Sequence, residues 1–329
     1  MSTLVDTFGR VVENLRISVT DRCNFRCRYC MPEDGVVWLK KERMLTYEEI
    51  ERLVRIVSGL GVWKVRLTGG EPLMRKELWK LVRMLHTMPG IHDIALTTNG
   101  YFLKDQVGDL VAAGLGRVNV SLDALSYQTF TDMARREFFA RTWEGIEEAD
   151  RLGLSPIKLN VVLIRGVNDG EIARFAELAR TRRFVVRFIE FMPIGKDDKW
   201  MADKVVRTAE VLERINRYAR LVTIPKNGQR APEKRFVFED GKGEVGFISS
   251  VSEPFCGDCN RVRLTSDGQL RTCLFSHRDT DLRALLRGGG SDEQIAQSIR
   301  KAVWAKEEGH RINDPGFVRP RRTMSQIGG

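Results

Sequence analysis

The chain has 329 residues, 42% of them hydrophobic, and 54 Lys and Arg against 44 Asp and Glu give it a net charge of +10. That length suits a large barrel or a barrel with a smaller domain, and no apolar run reaches the ~18 residues of a membrane span. Met1 to Arg10 has no apolar stretch followed by a small-residue cleavage site, and the basic residues are dispersed without blocks, so a cytoplasmic protein with no signal peptide, membrane or nucleic-acid partner is expected.

Strand and helix patterns alternate from residue 15 onward. Leu15 to Thr20 is a β-branched run. Thr46-Tyr47-Glu48-Glu49 is a capping box opening an amphipathic helix that runs to about Leu60. Lys64 to Thr68 is the next strand, ended by Gly69-Gly70, and a helix follows over Lys76 to Met88. Asp93 to Thr97 is extended, Lys104 to Ala113 helical, Arg117 to Leu122 extended and Arg141 to Leu152 helical. Ile157 to Ile164, Asp169 to Arg180, Val185 to Phe191 and Thr208 to Tyr218 continue the alternation. Six βα units imply a parallel sheet under helices, and six fall short of the eight of a closed barrel, so an incomplete barrel is expected over residues 1–222.

The pattern changes after residue 222, where Pro225, Asn227-Gly228 and Pro232 mark a linker. Hairpin-like strands are predicted over Arg235 to Phe238 with Val245 to Ile248, and over Arg261 to Leu264 with Leu270 to Leu274. Helices over Asp281 to Leu286 and Asp292 to Lys306 precede an irregular tail. Residues 223–329 are therefore read as a smaller α+β domain.

All six cysteines fall in two groups of three: Cys23, Cys27 and Cys30, spaced C-x3-C-x2-C, and Cys256, Cys259 and Cys273, a C-x2-C with a lone Cys further on. Clustering at ligand spacing fits a reducing compartment better than a disulfide framework does. Zinc favours paired C-x2-C arms and four ligands. Three close thiolates suit a 4Fe–4S cluster with one iron left open. The first group follows the first strand, at the carboxyl end where parallel α/β folds bind ligands. The four histidines, His86, His92, His277 and His310, are scattered and read as ordinary surface or core residues.

The run Cys23-Asn24-Phe25-Arg26-Cys27-Arg28-Tyr29-Cys30 resembles the signature of radical S-adenosylmethionine enzymes, and Gly69-Gly70-Glu71-Pro72 resembles their GGEP motif. The segment Glu253 to Leu264, with Cys256, Cys259, Arg261 and Arg263, is similar to the branch of that family that acts on GTP in molybdenum cofactor biosynthesis. The resemblance implies two 4Fe–4S clusters. Cys23, Cys27 and Cys30 would hold one, whose open iron binds S-adenosylmethionine near Tyr29, Gly70, Ser121 and Met192, with Glu71 helping to receive its amino group. Cys256, Cys259 and Cys273 would hold the other, facing the purine of GTP. Arg16, Arg66, Thr97, Lys158, Arg261 and Arg263 match GTP-contacting positions, and the tail Gly328-Gly329 would enter the active site beside Arg261 and Arg263. The implied reaction takes hydrogen from the GTP ribose and closes C3′ onto C8, with a one-electron reductase upstream and a cyclic pyranopterin monophosphate synthase downstream. The chain would act as a monomer or homodimer.

Arg16, Arg66, Thr97, Ser121, Lys158 and Arg187 all fall on or at the ends of predicted strands. Inward strand positions share a cavity, and so much buried positive charge calls for a polyanion. Two other readings are a radical enzyme with an auxiliary cluster acting on a peptide, and a zinc or iron–sulfur module that binds nucleic acid or transfers electrons.

Overall fold

The computed structural model describes residues 3–32, 34–194, 200–225 and 232–328. The six expected βα units are present. β1 (Asn14–Ser18) leads through the cysteine loop to α1 (Tyr47–Gly59), β2 (Lys64–Thr68) to α2 (Leu78–His86), and β3 (Asp93–Thr98) to α3 (Leu103–Ala112). β4 (Arg117–Ser121) leads to α4 (Tyr127–Ala134) and α5 (Phe139–Arg151), β5 (Ile157–Leu163) to α6 (Ile172–Thr181), and β6 (Phe184–Glu190) to α7 (Thr208–Asn216). These strands pair in chain order, all parallel.

The capping box at α1 forms as predicted, Thr46 and Glu49 each accepting from the other's backbone N–H. The helix α4 carries no such signal and is not legible in the sequence. The hydroxyl of Ser126, ahead of it, binds Glu171 at 2.6 Å and Thr129 at 2.7 Å instead of capping.

The segment after residue 222 builds no separate sheet. β7 (Leu221–Ile224), β8 (Lys234–Phe238) and β9 (Glu244–Ile248) form an antiparallel meander whose last strand lies parallel beside β6. β10 (Arg261–Leu264) lies parallel beside β1 and turns back into β11 (Gln269–Arg271), which pairs β12 (Thr280–Asp281). One twelve-stranded sheet results, in the order β12-β11-β10-β1-β2-β3-β4-β5-β6-β9-β8-β7. The C-terminal third thus supplies the strand on each flank of the six-stranded arc. The strand predicted to reach Leu274 stops at Arg271, which leaves Cys273 in a loop. α8 (Leu282–Arg287) and α9 (Asp292–Trp304) follow, and the expected irregular tail ends in a short helix, α10 (Met324–Ile327), opened by a Thr323–Gln326 capping box. Asn227-Gly228 lies outside the described residues.

Alternation along the strands explains the architecture. Leu15 and Ile17, Val65 and Leu67, Leu159 and Val161, and Phe188 and Phe247 are buried in the continuous core beneath the helices. Each such side chain contributes about 1.5–3 kcal/mol by leaving water. The opposite face of the same strands is polar: Arg16, Arg66, Lys158 and Arg187 point the other way. A sheet polar on its concave side leaves that side open for a ligand.

Candidate active site

The polar face encloses a cavity of about 1000 Å³ lined by all six cysteines together with Arg16, Arg66, Arg117, Lys158, Arg187, Arg261 and Arg263. Register fixes the geometry of the cations: Arg16 is level with Arg66 on one side and Arg263 on the other, and Arg187 is level with Asn160 and Gly246. Tyr29, Gly70, Thr97, Ser121 and Met192 line the same space.

The first cysteine loop leaves β1 and is clasped by the turn after β2. Gly70 N–H donates to the Thr20 carbonyl at 2.7 Å and Glu71 N–H to the Arg22 carbonyl at 2.7 Å. A Cβ at Gly70 would overlap the Arg22 carbonyl, so loop packing alone requires glycine there. Arg26 donates to the Cys23 and Phe25 carbonyls at 2.7 and 2.8 Å, and the Asn99 amide lies 3.9 Å from the Cys23 sulfur. Burial pushes the Cys23 thiol up to about 12 and raises Cys27 and Cys30 as well, with Glu71 and Asp123 adding to the effect.

Glu71 departs from the sequence expectation. Its carboxylate is 1% exposed and is engaged by Leu73 N–H, the Thr98 hydroxyl and Asn99 N–H at 3.0, 2.7 and 2.7 Å, so it ties β3 to the Gly-Gly turn instead of facing the cavity. Burial nonetheless pushes it up to about 7. Tyr29 donates its hydroxyl to Asp123 at 2.9 Å; the other oxygen of Asp123 accepts from Val162 N–H, and burial lifts this carboxyl to about 6.

The second triad is mixed: burial raises Cys273, while Cys259 goes the other way. Burial would raise Cys259, but Arg261, Lys306 and the Arg261 hydrogen bonds outweigh it and bring the thiol down to about 6. The Arg261 guanidinium is 3.9 Å from that sulfur. Arg10, paired with Asp6 at 2.6 Å, donates to the carbonyls of Cys256, Glu307 and Glu308, and Lys306 donates to those of Arg261 and Thr272. Among the described residues no three ligating side chains converge tightly enough for a single metal ion. Thiolates sharing a four-iron cube bind different irons and stand further apart.

Between the triads the wall is strongly cationic. Burial, then the neighbouring guanidiniums, hold Arg16, Arg66 and Arg263 well below the ordinary arginine value, and burial lowers Lys158 and Arg187 too. The Nε groups of Arg16, Arg66 and Arg187 are buried without hydrogen-bond partners among the described residues. Asn119 links two other site residues, accepting from Arg187 at 2.9 Å and donating to Thr97 at 3.3 Å. Unpaired buried donors of one sign are costly and are what a polyphosphate would satisfy.

Gly328 is buried at the end of α10, where its carbonyl accepts from Arg263 and a Cβ would press on Thr68 and Ser18. Gly329 lies outside the described residues. The tail also reaches the first triad, since the Ser325 backbone hydrogen bonds to Cys30. Sequence reading missed Asp123, Glu233 and His310. Glu233 and His310 line the cavity, His310 against the Phe275 ring, and only the fold brings these isolated residues to the site.

A parallel βα arc with a three-cysteine loop after β1, clasped by a Gly-Gly turn after β2, defines a radical S-adenosylmethionine enzyme, here with a second cysteine triad. Residues 17–179 match the radical SAM superfamily and residues 184–312 the molybdenum cofactor synthesis C family. The chain is 48% identical to a GTP 3′,8-cyclase of Pelotomaculum thermopropionicum, over 98% of this chain and 99% of the relative. It is 44% identical to one of Desulforamulus reducens, over 99% and 100%. Streptococcus suis SuiB bound to S-adenosylmethionine shares the fold, with a TM-score of 0.61 at 16% identity over 88% of this chain and 68% of that one. The chain belongs to the GTP 3′,8-cyclase family.

Proposed function

We infer that this enzyme cyclises GTP to 3′,8-cyclo-7,8-dihydro-GTP, the first step of molybdenum cofactor biosynthesis. One observation carries the reading: two cysteine triads line a single cavity whose wall bears buried guanidinium groups with Nε atoms that have no hydrogen-bond partner among the described residues. The donor set fits the implied groups, since each triad is three thiols opening onto a roomy chamber.

Cys23, Cys27 and Cys30 would hold the cluster that binds S-adenosylmethionine, and Cys256, Cys259 and Cys273 the cluster that faces the purine. When bound, the first cluster with its cosubstrate supplies one-electron chemistry that removes a ribose hydrogen, and the second supplies an open iron for the base. Residues 1–222 would carry the former and residues 223–329 the latter. Arg16, Arg66, Lys158, Arg187 and Arg263 hold the triphosphate, which fixes the ribose between the two ends. Arg261 sits at the second triad, where it orients the base and balances cluster charge. Tyr29, Gly70, Ser121 and Met192 wall the cosubstrate, while Glu71 acts through the loop it fastens. Gly328 lies against Arg263 and, with Gly329, would help to set the guanidinium that meets the nucleotide.

The reaction calls for a one-electron reductase and delivers its product to a cyclic pyranopterin monophosphate synthase, both in the cytoplasm, with the enzyme acting as a monomer or homodimer. Among the described residues no helix is long and apolar enough to cross a membrane. Anaerobic incubation with dithionite, S-adenosylmethionine and GTP, followed by product analysis, tests the reading. The expected result is 5′-deoxyadenosine together with the cyclised nucleotide, at about eight irons per chain. Iron-loaded enzyme that cleaves S-adenosylmethionine yet leaves GTP intact contradicts it.

A further inference from the structure

Glu233 is a carboxylate set beside the cations Lys158 and Arg187 in the wall of the chamber. It is 7% exposed and lies 3.5 Å from the Lys158 ammonium and 3.6 Å from the Arg187 guanidinium, too far for good hydrogen bonds, and its Oε1 has no partner among the described residues. A buried carboxylate this loosely held is expensive, yet its seat is built into the sheet. Gly246, level with Arg187, faces it, and a Cβ at Gly246 would overlap the end of the Glu233 side chain. The glycine thus makes the space the carboxylate occupies.

We propose that Glu233 is a resident counter-ion for Lys158 and Arg187 that the substrate's phosphates must displace, so that it sets how strongly the site discriminates for highly charged nucleotides. The inference rests on the reading that this cavity takes GTP. In the free protein the carboxylate offsets part of the repulsion among Lys158, Arg187 and the arginines beside them. A polyphosphate brings more charge and more acceptors to the same donors and wins the exchange. An uncharged nucleoside has nothing to exchange. The carboxylate therefore weakens polyphosphate binding and leaves an uncharged nucleoside untouched, which narrows the site's preference for highly charged ligands.

Two variants separate the charge from its seat. Glu233→Gln keeps the shape and removes the anion. Gly246→Ala keeps the anion and evicts it by contact with a flexible side chain. Anaerobically prepared holoenzyme of each is titrated by calorimetry with GTP, with inorganic tripolyphosphate and with guanosine. Both variants are expected to bind GTP and tripolyphosphate about tenfold more tightly, which is near one charge–charge contact in a partly screened site, with guanosine unchanged. GTP and tripolyphosphate binding that is unchanged or weaker in Glu233→Gln overturns the proposal; if that variant does not fold, Gly246→Ala decides by the same criterion. Wild-type enzyme that binds neither GTP nor tripolyphosphate would instead refute the functional reading of the cavity.

Discussion

The two cysteine triads have the same number of thiols and open onto the same chamber, yet they differ at Cys259, since burial raises Cys273 as it raises the first triad. Around Cys23, Cys27 and Cys30 the nearest buried charges are the carboxyls of Glu71 and Asp123, and every thiol is pushed up. Around Cys259 the nearest charges are Arg261 and Lys306, and the thiol falls to about 6. S-adenosylmethionine carries a net positive charge through its sulfonium, so carboxyls beside its site suit it. A site that takes the base of a tetra-anionic nucleotide gains from cations. Ligand count alone therefore does not describe such a centre, because the charges beside the individual cysteines differ as well.

The largest test of this contrast is loss of one triad at a time. Cys27→Ala is expected to abolish both 5′-deoxyadenosine release and GTP conversion. Cys259→Ala should abolish conversion while leaving S-adenosylmethionine cleavage measurable, each variant keeping about four irons. Equal loss of cleavage in both would break the division of labour.

Next comes the cationic wall. Arg66→Met removes a buried guanidinium that burial and its neighbours already disfavour. The free protein should become more stable by about 1–2 kcal/mol, because an apolar group replaces an uncompensated charge. GTP binding should weaken by about a hundredfold, or 2.7 kcal/mol. Thermal midpoints and calorimetric titration must move in opposite directions; a fall in both would mean that Arg66 is structural.

Much of this was legible in the sequence, for local reasons. The six βα units show themselves through strand alternation, the α1 capping box and Gly punctuation, and the first triad lies within eight residues, Cys23 to Cys30. What sequence hides is long-range pairing. That β10 lies beside β1, with Arg263 level with Arg16, joins residues at opposite ends of the chain, and nothing in Arg261 to Leu264 itself announces a parallel partner. Glu71 shows the same limit. A motif match names the residue, but only the fold reveals that Leu73, Thr98 and Asn99 donate to its oxygens. Glu233 and Asp123 gain meaning solely from neighbours on other strands.

Glu71 supplies the pH test at the first triad. Its folded value near 7 lies above the ordinary carboxyl value, so the folded state holds the proton more tightly than the unfolded chain. The stability it contributes is complete below about pH 4.3 and lost as pH rises to about 7, roughly 3 kcal/mol in all. Urea unfolding of the metal-free protein between pH 5 and 7.5 should show this decline, and Glu71→Gln should make it shallower, leaving the part below about pH 6 that Asp123 contributes. A parallel slope in the variant would assign the decline elsewhere. The smallest effect is Tyr29→Phe, which removes the hydrogen bond to Asp123; about 1 kcal/mol of stability and a modest rise in the KM for S-adenosylmethionine are expected, with GTP affinity unchanged.

The most direct measurement of two opposed ends in one chamber is electron paramagnetic resonance of the reduced single-triad variants. S-adenosylmethionine should perturb the signal that remains in Cys259→Ala and GTP the signal that remains in Cys27→Ala. Both ligands acting on the same cluster, or GTP acting on the one held by Cys23, Cys27 and Cys30, would contradict the account.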